Sequence, residues 1–162
     1  MSLKRITLLL CAATLVLACG GEKETVEIEG GELAFEAEGE GVRISGEKEG
    51  VGAISGRFGE NAEIPDGFPE DVPIYPGSDV IGGMVAGAGG MVTLQTGDDA
   101  EKVAAFYREK LVNEGWSLAP EMDLGGRQML PIEKESRNGV VQISREPKAT
   151  TIVLTVGMGP ES

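Results

Sequence analysis

One stretch of this chain repeats with helical spacing, and the segments on both sides of it alternate with a period of two. Ala100, Val103, Ala104, Tyr107 and Leu111 fall on one stripe of a 3.6-residue helix, with Phe106 at its edge. Asp98 stands before the stripe as an N-cap, with Glu101 three residues on as in a capping box. Glu114-Gly115 supplies a left-handed stop. Strand-like runs precede this helix at residues 79–85 and 91–95, joined by the glycine-rich residues 86–90. Trp116-Ser117-Leu118 begins another strand, and residues 127–132, 140–144 and 151–156 make three more. Asn138-Gly139 reads as a hairpin turn and Pro147-Lys148-Ala149 as a second. The order β-β-α-β-β-β-β predicts an α+β fold, an antiparallel sheet with one helix packed on a face.

A different texture precedes this unit. Residues 20–64 are rich in Gly and Glu, and Val26, Ile28, Leu33, Phe35, Val42, Ile44 and Ile54 alternate with polar residues between glycine turns. That pattern predicts short antiparallel strands of modest order rather than a mobile acidic stalk, with too few apolar residues to stand alone. Four prolines then crowd residues 65–76 and forbid a regular ladder. Phe68, Val72, Ile74 and Tyr75 are too apolar for a free linker, so residues 65–78 read as an extended strap pinned across the following domain. The expected organisation is 1–18 leader, 19–64 acidic short-strand segment, 65–78 strap, 79–157 α+β domain and 158–162 tail.

The N-terminus is basic and then apolar. Lys4 and Arg5 precede a run from Ile6 to Ala18 interrupted only by Thr7 and Thr14. At thirteen residues this run is too short to span a hydrocarbon core, which needs about 20, and it has the length of a secretory h-region. Val16-Leu17-Ala18 leads into Cys19, and this resembles the lipobox of bacterial lipoproteins. The resemblance implies cleavage after Ala18, acylation of Cys19 and anchoring of the chain to a membrane of the bacterial cell envelope. Gly20 in place of Asp implies the outer membrane where the source has two. Two or three acyl chains on one residue make release negligible, because each buried CH₂ adds about 0.8 kcal/mol.

Cleavage leaves 144 residues, one domain's worth of chain. Loss of Lys4 and Arg5 leaves 12 basic residues against 27 acidic ones, a net charge of about −15. A field of that sign excludes nucleic acid as a partner. Cys11 departs with the leader and Cys19 carries lipid, so packing alone holds the exported fold.

A second resemblance lies in the C-terminal part. Residues 68–77, carrying Val72-Pro73-Ile74-Tyr75-Pro76-Gly77, then Phe106-Tyr107 with Leu111, then Gly115-Trp116, look like a domain of exported bacterial lipoproteins with a "vPxYPG" strap, an "FYxxxL" helix and a "GW" turn. It spans about ninety residues, implies a fold and a compartment, and carries no catalytic residue.

Chemistry-bearing residues are sparse. With no histidine in the chain there is no imidazole base or ligand. None of the serines at 45, 55, 78, 117, 136 and 144 sits in a nucleophile elbow. The cluster Gly82-Gly83-Met84-Val85-Ala86-Gly87-Ala88-Gly89-Gly90 lacks the Gly-Lys-Ser/Thr ending of a phosphate loop and reads as a flexible hairpin turn. Asp98-Asp99 offers hard oxygens for calcium, but no Asp-x-Asp-x-Asp-Gly loop surrounds it. Phe68, Tyr75 and Trp116 are expected to fill the core, with a weaker reading as a stacking surface for sugar or peptide. The sequence thus predicts a non-enzymatic binding module, without cofactor or metal, for an envelope protein or polymer. The alternatives are an envelope hydrolase using carboxylates alone and an acidic cation-binding spacer.

Overall fold

A computed structural model describes residues 23–59 and 62–158. Their strands form a continuous antiparallel sheet: β1 (Lys23–Ile28), β2 (Gly31–Glu38), β3 (Gly41–Lys48), β4 (Gly52–Phe58), β5 (Asp79–Ala86), β6 (Gly89–Thr96), β7 (Ser117–Leu118), β8 (Met122–Asp123), β9 (Arg127–Lys134), β10 (Arg137–Arg145) and β11 (Thr150–Met158). The spatial order is β1-β2-β3-β4-β5-β6-β11-β10-β9-β7, with β8 also paired to β9. The fold is α+β, with α1 (Ala100–Asn113) lying on one face. The Gly/Glu-rich segment is joined to the rest through the β4–β5 ladder, Ile54↔Ala86 to Phe58↔Gly82.

The helix buries the predicted stripe: Ala100, Val103, Ala104, Tyr107 and Leu111 are all in the core. Its C-terminus is a full Schellman motif, with Trp116 N–H on Leu111 O at 2.9 Å, Gly115 N–H on Val112 O at 3.0 Å and Gly115 at φ +83°. The N-terminus departs from expectation. Asp99 is the N-cap residue and makes no side-chain cap, while Asp98 turns its carboxylate to Tyr75 and Lys102. Glu101 accepts from Gln128 Nε2 at 2.6 Å instead of closing a capping box.

Two turn expectations change as well. The β9–β10 turn is Glu135-Ser136, with Glu135 at φ +56°, and Asn138-Gly139 lies inside β10. Gly139 is needed there because a Cβ would collide with the Thr155 backbone carbonyl of β11. The glycine cluster at 82–90 is two ladder-paired strands with a two-residue turn, Gly87-Ala88, rather than a flexible hairpin turn. Its glycines make room for rings. A Cβ on Gly82 would strike the Phe58 ring, one on Gly83 would lie 2.7 Å from Pro65 Cδ, and one on Gly90 2.9 Å from Phe68 Cδ2.

The strap crosses the helix-bearing face as a chain of tight turns. Phe68 N–H bonds Pro65 O, Val72 N–H bonds Pro69 O and Ser78 N–H bonds Tyr75 O. In the last of these Pro76-Gly77 occupies the central positions, and Gly77 has φ +73° as a type II turn requires. Phe68, Val72 and Tyr75 are buried against the helix–sheet core and Ile74 packs beside them.

Candidate interaction surface

Two polar knots tie the strap down. Asp71 receives Arg137 through two bonds, Nη1 to Oδ1 at 2.9 Å and Nη2 to Oδ2 at 2.6 Å, and Lys134 Nζ at 2.6 Å. Lys134 also donates to Glu114 O, one residue past the helix, at 2.7 Å. Trp116 Nε1 donates to Asp71 O at 2.8 Å, and the Arg137 guanidinium lies 4.8 Å from the centre of the indole. The Arg137 hydrogen bonds, reinforced by Lys134, hold the Asp71 carboxyl at about 2 against an ordinary 3.8, outweighing the opposing effect of burial. The second knot is Asp98, whose Oδ2 accepts from Tyr75 Oη at 2.7 Å and Lys102 Nζ at 2.9 Å. The Lys102 bond, then the Tyr75 bond, lower the Asp98 pKa, while burial, then the bond to Asp98, raise that of Tyr75.

These knots settle the predicted stacking surface. Phe68, Tyr75 and Trp116 are 7 %, 3 % and 2 % exposed, so they are core side chains and no groove for sugar or peptide runs over them. Tyr75 packs edge-on against Phe106 at 5.0 Å between centroids, and Phe106 likewise on Tyr107 at 5.2 Å. Cys19 and Ala18, the expected lipidation and cleavage positions, lie outside the described residues. Among the described residues, no three His, Cys, Asp or Glu side chains converge as metal ligands do.

The surface that stands out is the sheet face away from the helix. Directly paired residues of neighbouring antiparallel strands point to the same side, so the register sorts every side chain to a face. One row runs Glu24-Phe35-Ile44-Gly56-Met84-Met91-Thr155-Val140-Pro131 across nine strands. Beside it runs Ala37-Val42-Phe58-Gly82-Thr93-Val153-Gln142-Met129-Met122. A shorter row on the other flank is Val26-Leu33-Gly46-Ile54-Ala86-Gly89. Glu24, at the outer edge, is the one charge in these three rows. None of their members belongs to the core. Val26 and Val42 are 42 % and 41 % exposed, and Phe35, Ile44, Phe58, Met84, Met91 and Val153 are half-buried.

The opposite face of β1–β4 is heavily charged. Its rows include Lys23-Glu36-Arg43-Arg57 and Glu27-Glu32-Glu47. Lys23 and Glu36 of the first row pair at 3.2 Å, and Glu38, two residues along β2 from Glu36, accepts Arg43 at 3.0 Å and Arg57 at 2.8 Å.

Large side chains lie down over glycines on the open face. A Cβ on Gly46 would be 3.0 Å from Leu33 Cδ2, and one on Gly56 would be 2.7 Å from Met84 Cβ. Together with Phe58 over Gly82, these overlaps bury apolar area within one layer, which is how four thin strands hold without a second sheet. The same overlaps leave the face smooth.

A family model described as START domain-like matches residues 80–151, from the start of β5 to the start of β11. It covers 72 of 162 residues and leaves β1–β4 and the strap outside, so it describes a similarity of the helix-bearing part. No curated protein and no solved structure matches the chain.

Proposed function

We propose that the protein is a lipid-anchored module of the bacterial cell envelope, non-enzymatic, that works by presenting its open sheet face to an envelope protein or polymer. The observation that carries this reading is the absence of charge, Glu24 at the edge excepted, from the central rows of that face, on a chain with 27 acidic and 14 basic residues. Monomeric proteins rarely leave a contiguous apolar surface of several hundred Å² uncovered, and large ones mark interaction sites. Anchoring rests on the basic-apolar leader and Val16-Leu17-Ala18-Cys19. Mature Cys19 stands four residues before Lys23, so the edge strand β1 sits close to the bilayer, at the outer membrane where there are two.

The similarity to a START-like domain supports a binding role over catalysis, as does the shortage of reactive groups. Asp98 is engaged by Tyr75 and Lys102, and Asp71 by Lys134 and Arg137. Neither carboxylate is poised as a general acid or base. Photo-crosslinking in intact cells, with a probe at Met91 or Val140, tests the reading. Adducts from the open face and none from Ala53 on the charged face support it. Adducts from the charged face alone, or turnover of cell-wall or ester substrates abolished by one carboxylate substitution, overturn it.

A further inference from the structure

We infer that the partner seated on the open face is a second copy of this chain, packed sheet on sheet. The inference rests on the reading above that this face is the binding face, and names its occupant. Three observations point to a copy of the same chain. First, size: neighbouring strands lie about 4.8 Å apart and alternate residues about 6.8 Å apart, so two rows over nine strands and a third over six cover roughly 40 Å along the rows by 14 to 20 Å across them. At the wider end that is about 800 Å², the area each partner contributes to a standard stable interface.

Second, charge. Two copies of a chain this acidic repel one another over most approaches. The open face is where they meet without opposing like charges. Its charged positions, Glu24, Lys48, Asp79, Arg127 and Glu133, all lie at strand ends or at the sheet edge and would fall on the rim. An isologous two-fold contact requires a patch complementary to itself, which an uncharged face meets and a face of one sign does not.

Third, shape. Leu33 lies down over Gly46 and Phe58 over Gly82, so the face is smooth and two copies can approach it flat, with Phe35, Ile44, Met84 and Met91 between the layers. Aligned sheets pack about 10 Å apart with side chains of that size between them, and methionine adapts to imperfect matches. The product is a four-layer helix–sheet–sheet–helix dimer with both helices outward.

The test uses the full chain in its own membrane. Single cysteines at Ile44→Cys, Met91→Cys and Val140→Cys sample the middle row from β3 to β10 at steps of two or three strands, about 10 to 14 Å. Ser55→Cys and Ala53→Cys sample the opposite face. Treatment with a bis-maleimide long enough to bridge those steps is expected to give a homodimer band from at least one position of the first set and from neither of the second. Adding Thr155→Glu or Val42→Glu, both at exposed positions, is expected to cut that band at least tenfold while the unfolding midpoint of at least one of the two variants stays near that of the parent. A homodimer from the charged face, or one indifferent to both glutamates, overturns the inference. Adducts from the open face to a different protein or to lipid also overturn it, while leaving the binding-face reading intact. No adduct of any kind from the open face removes both.

Discussion

Replacing Asp71 by alanine strands two cations at the joint of strap, helix end and β9–β10 hairpin. Asp71 accepts three charge-assisted bonds of 2.6 to 2.9 Å from Lys134 and Arg137, and its side chain is 24 % exposed. Breaking a fully buried pair costs about 3–5 kcal/mol, whereas an exposed pair is worth about 0.2–1 kcal/mol. This site lies between those limits, at about 2 kcal/mol. The carboxyl pKa, about 2 against 3.8, agrees. At about 1.4 kcal/mol per unit the shift corresponds to roughly 2.5 kcal/mol, and solvent screening at a quarter-open site reduces it to about 1–2 kcal/mol.

Urea denaturation followed by the lone tryptophan, Trp116, reads the change where it happens. Asp71→Ala is expected to lose about 2 kcal/mol and to lower Tm by roughly 4–8 °C. In a double-mutant cycle with Arg137→Ala, a coupling of about 1–2 kcal/mol is expected. The pH dependence has a definite sign. The folded pKa lies below the unfolded one, so the contribution is complete above about pH 4 and is lost as pH falls toward 2. The gap between wild type and Asp71→Asn therefore closes over that window. A coupling under about 0.3 kcal/mol, or a gap constant down to pH 2, refutes the reasoning.

Two further predictions concern the core and the strap. The Tyr107 hydroxyl is buried without a hydrogen bond of good geometry, and burial pushes its pKa up. Tyr107→Phe should therefore raise stability by about 1 kcal/mol in the same denaturation assay, and a clear loss would mean that the hydroxyl has a partner. Gly83→Ala puts a methyl 2.7 Å from Pro65 Cδ and 3.0 Å from Met91 O, and is expected to cost about 1–3 kcal/mol by lifting the strap. An unchanged midpoint would mean that Pro65 is not seated there.

How much of this was readable beforehand depended on distance along the chain. The helix stripe and the Gly115 stop were legible because a helix is specified by neighbours three and four residues apart. The strands of residues 20–64 were legible from their alternation. The role of Asp98 is not legible locally, because its carboxylate is captured by Tyr75, 23 residues upstream, in competition with the local cap. The place of Asn138-Gly139 inside a strand is hidden for a similar reason. Asp71 grips Lys134 and Arg137 on either side of Glu135-Ser136, so a contact across 63 to 66 residues holds the turn there. The two-residue strand β8 carries too little pattern to be seen.

The open face lay furthest from view. Alternation showed that β1–β4 have an apolar side, but not that this side is opposite the helix. That depends on full register and on the irregularity between Val80 and Gly82, where one extra residue lets Val80 face the core and Gly82 the open side.

Everything functional in this account presumes a chain fixed to a membrane through its first mature residue, leaving the sheet free to meet a neighbour. Intact-mass spectrometry of the protein extracted from its native membrane tests that most directly. The expected product has its N-terminus at Cys19 bearing a diacylglycerol, and a Cys19→Ser chain is expected to keep its leader and never to be acylated. An unacylated product that retains residues 1–18, or one released into the medium, would contradict it.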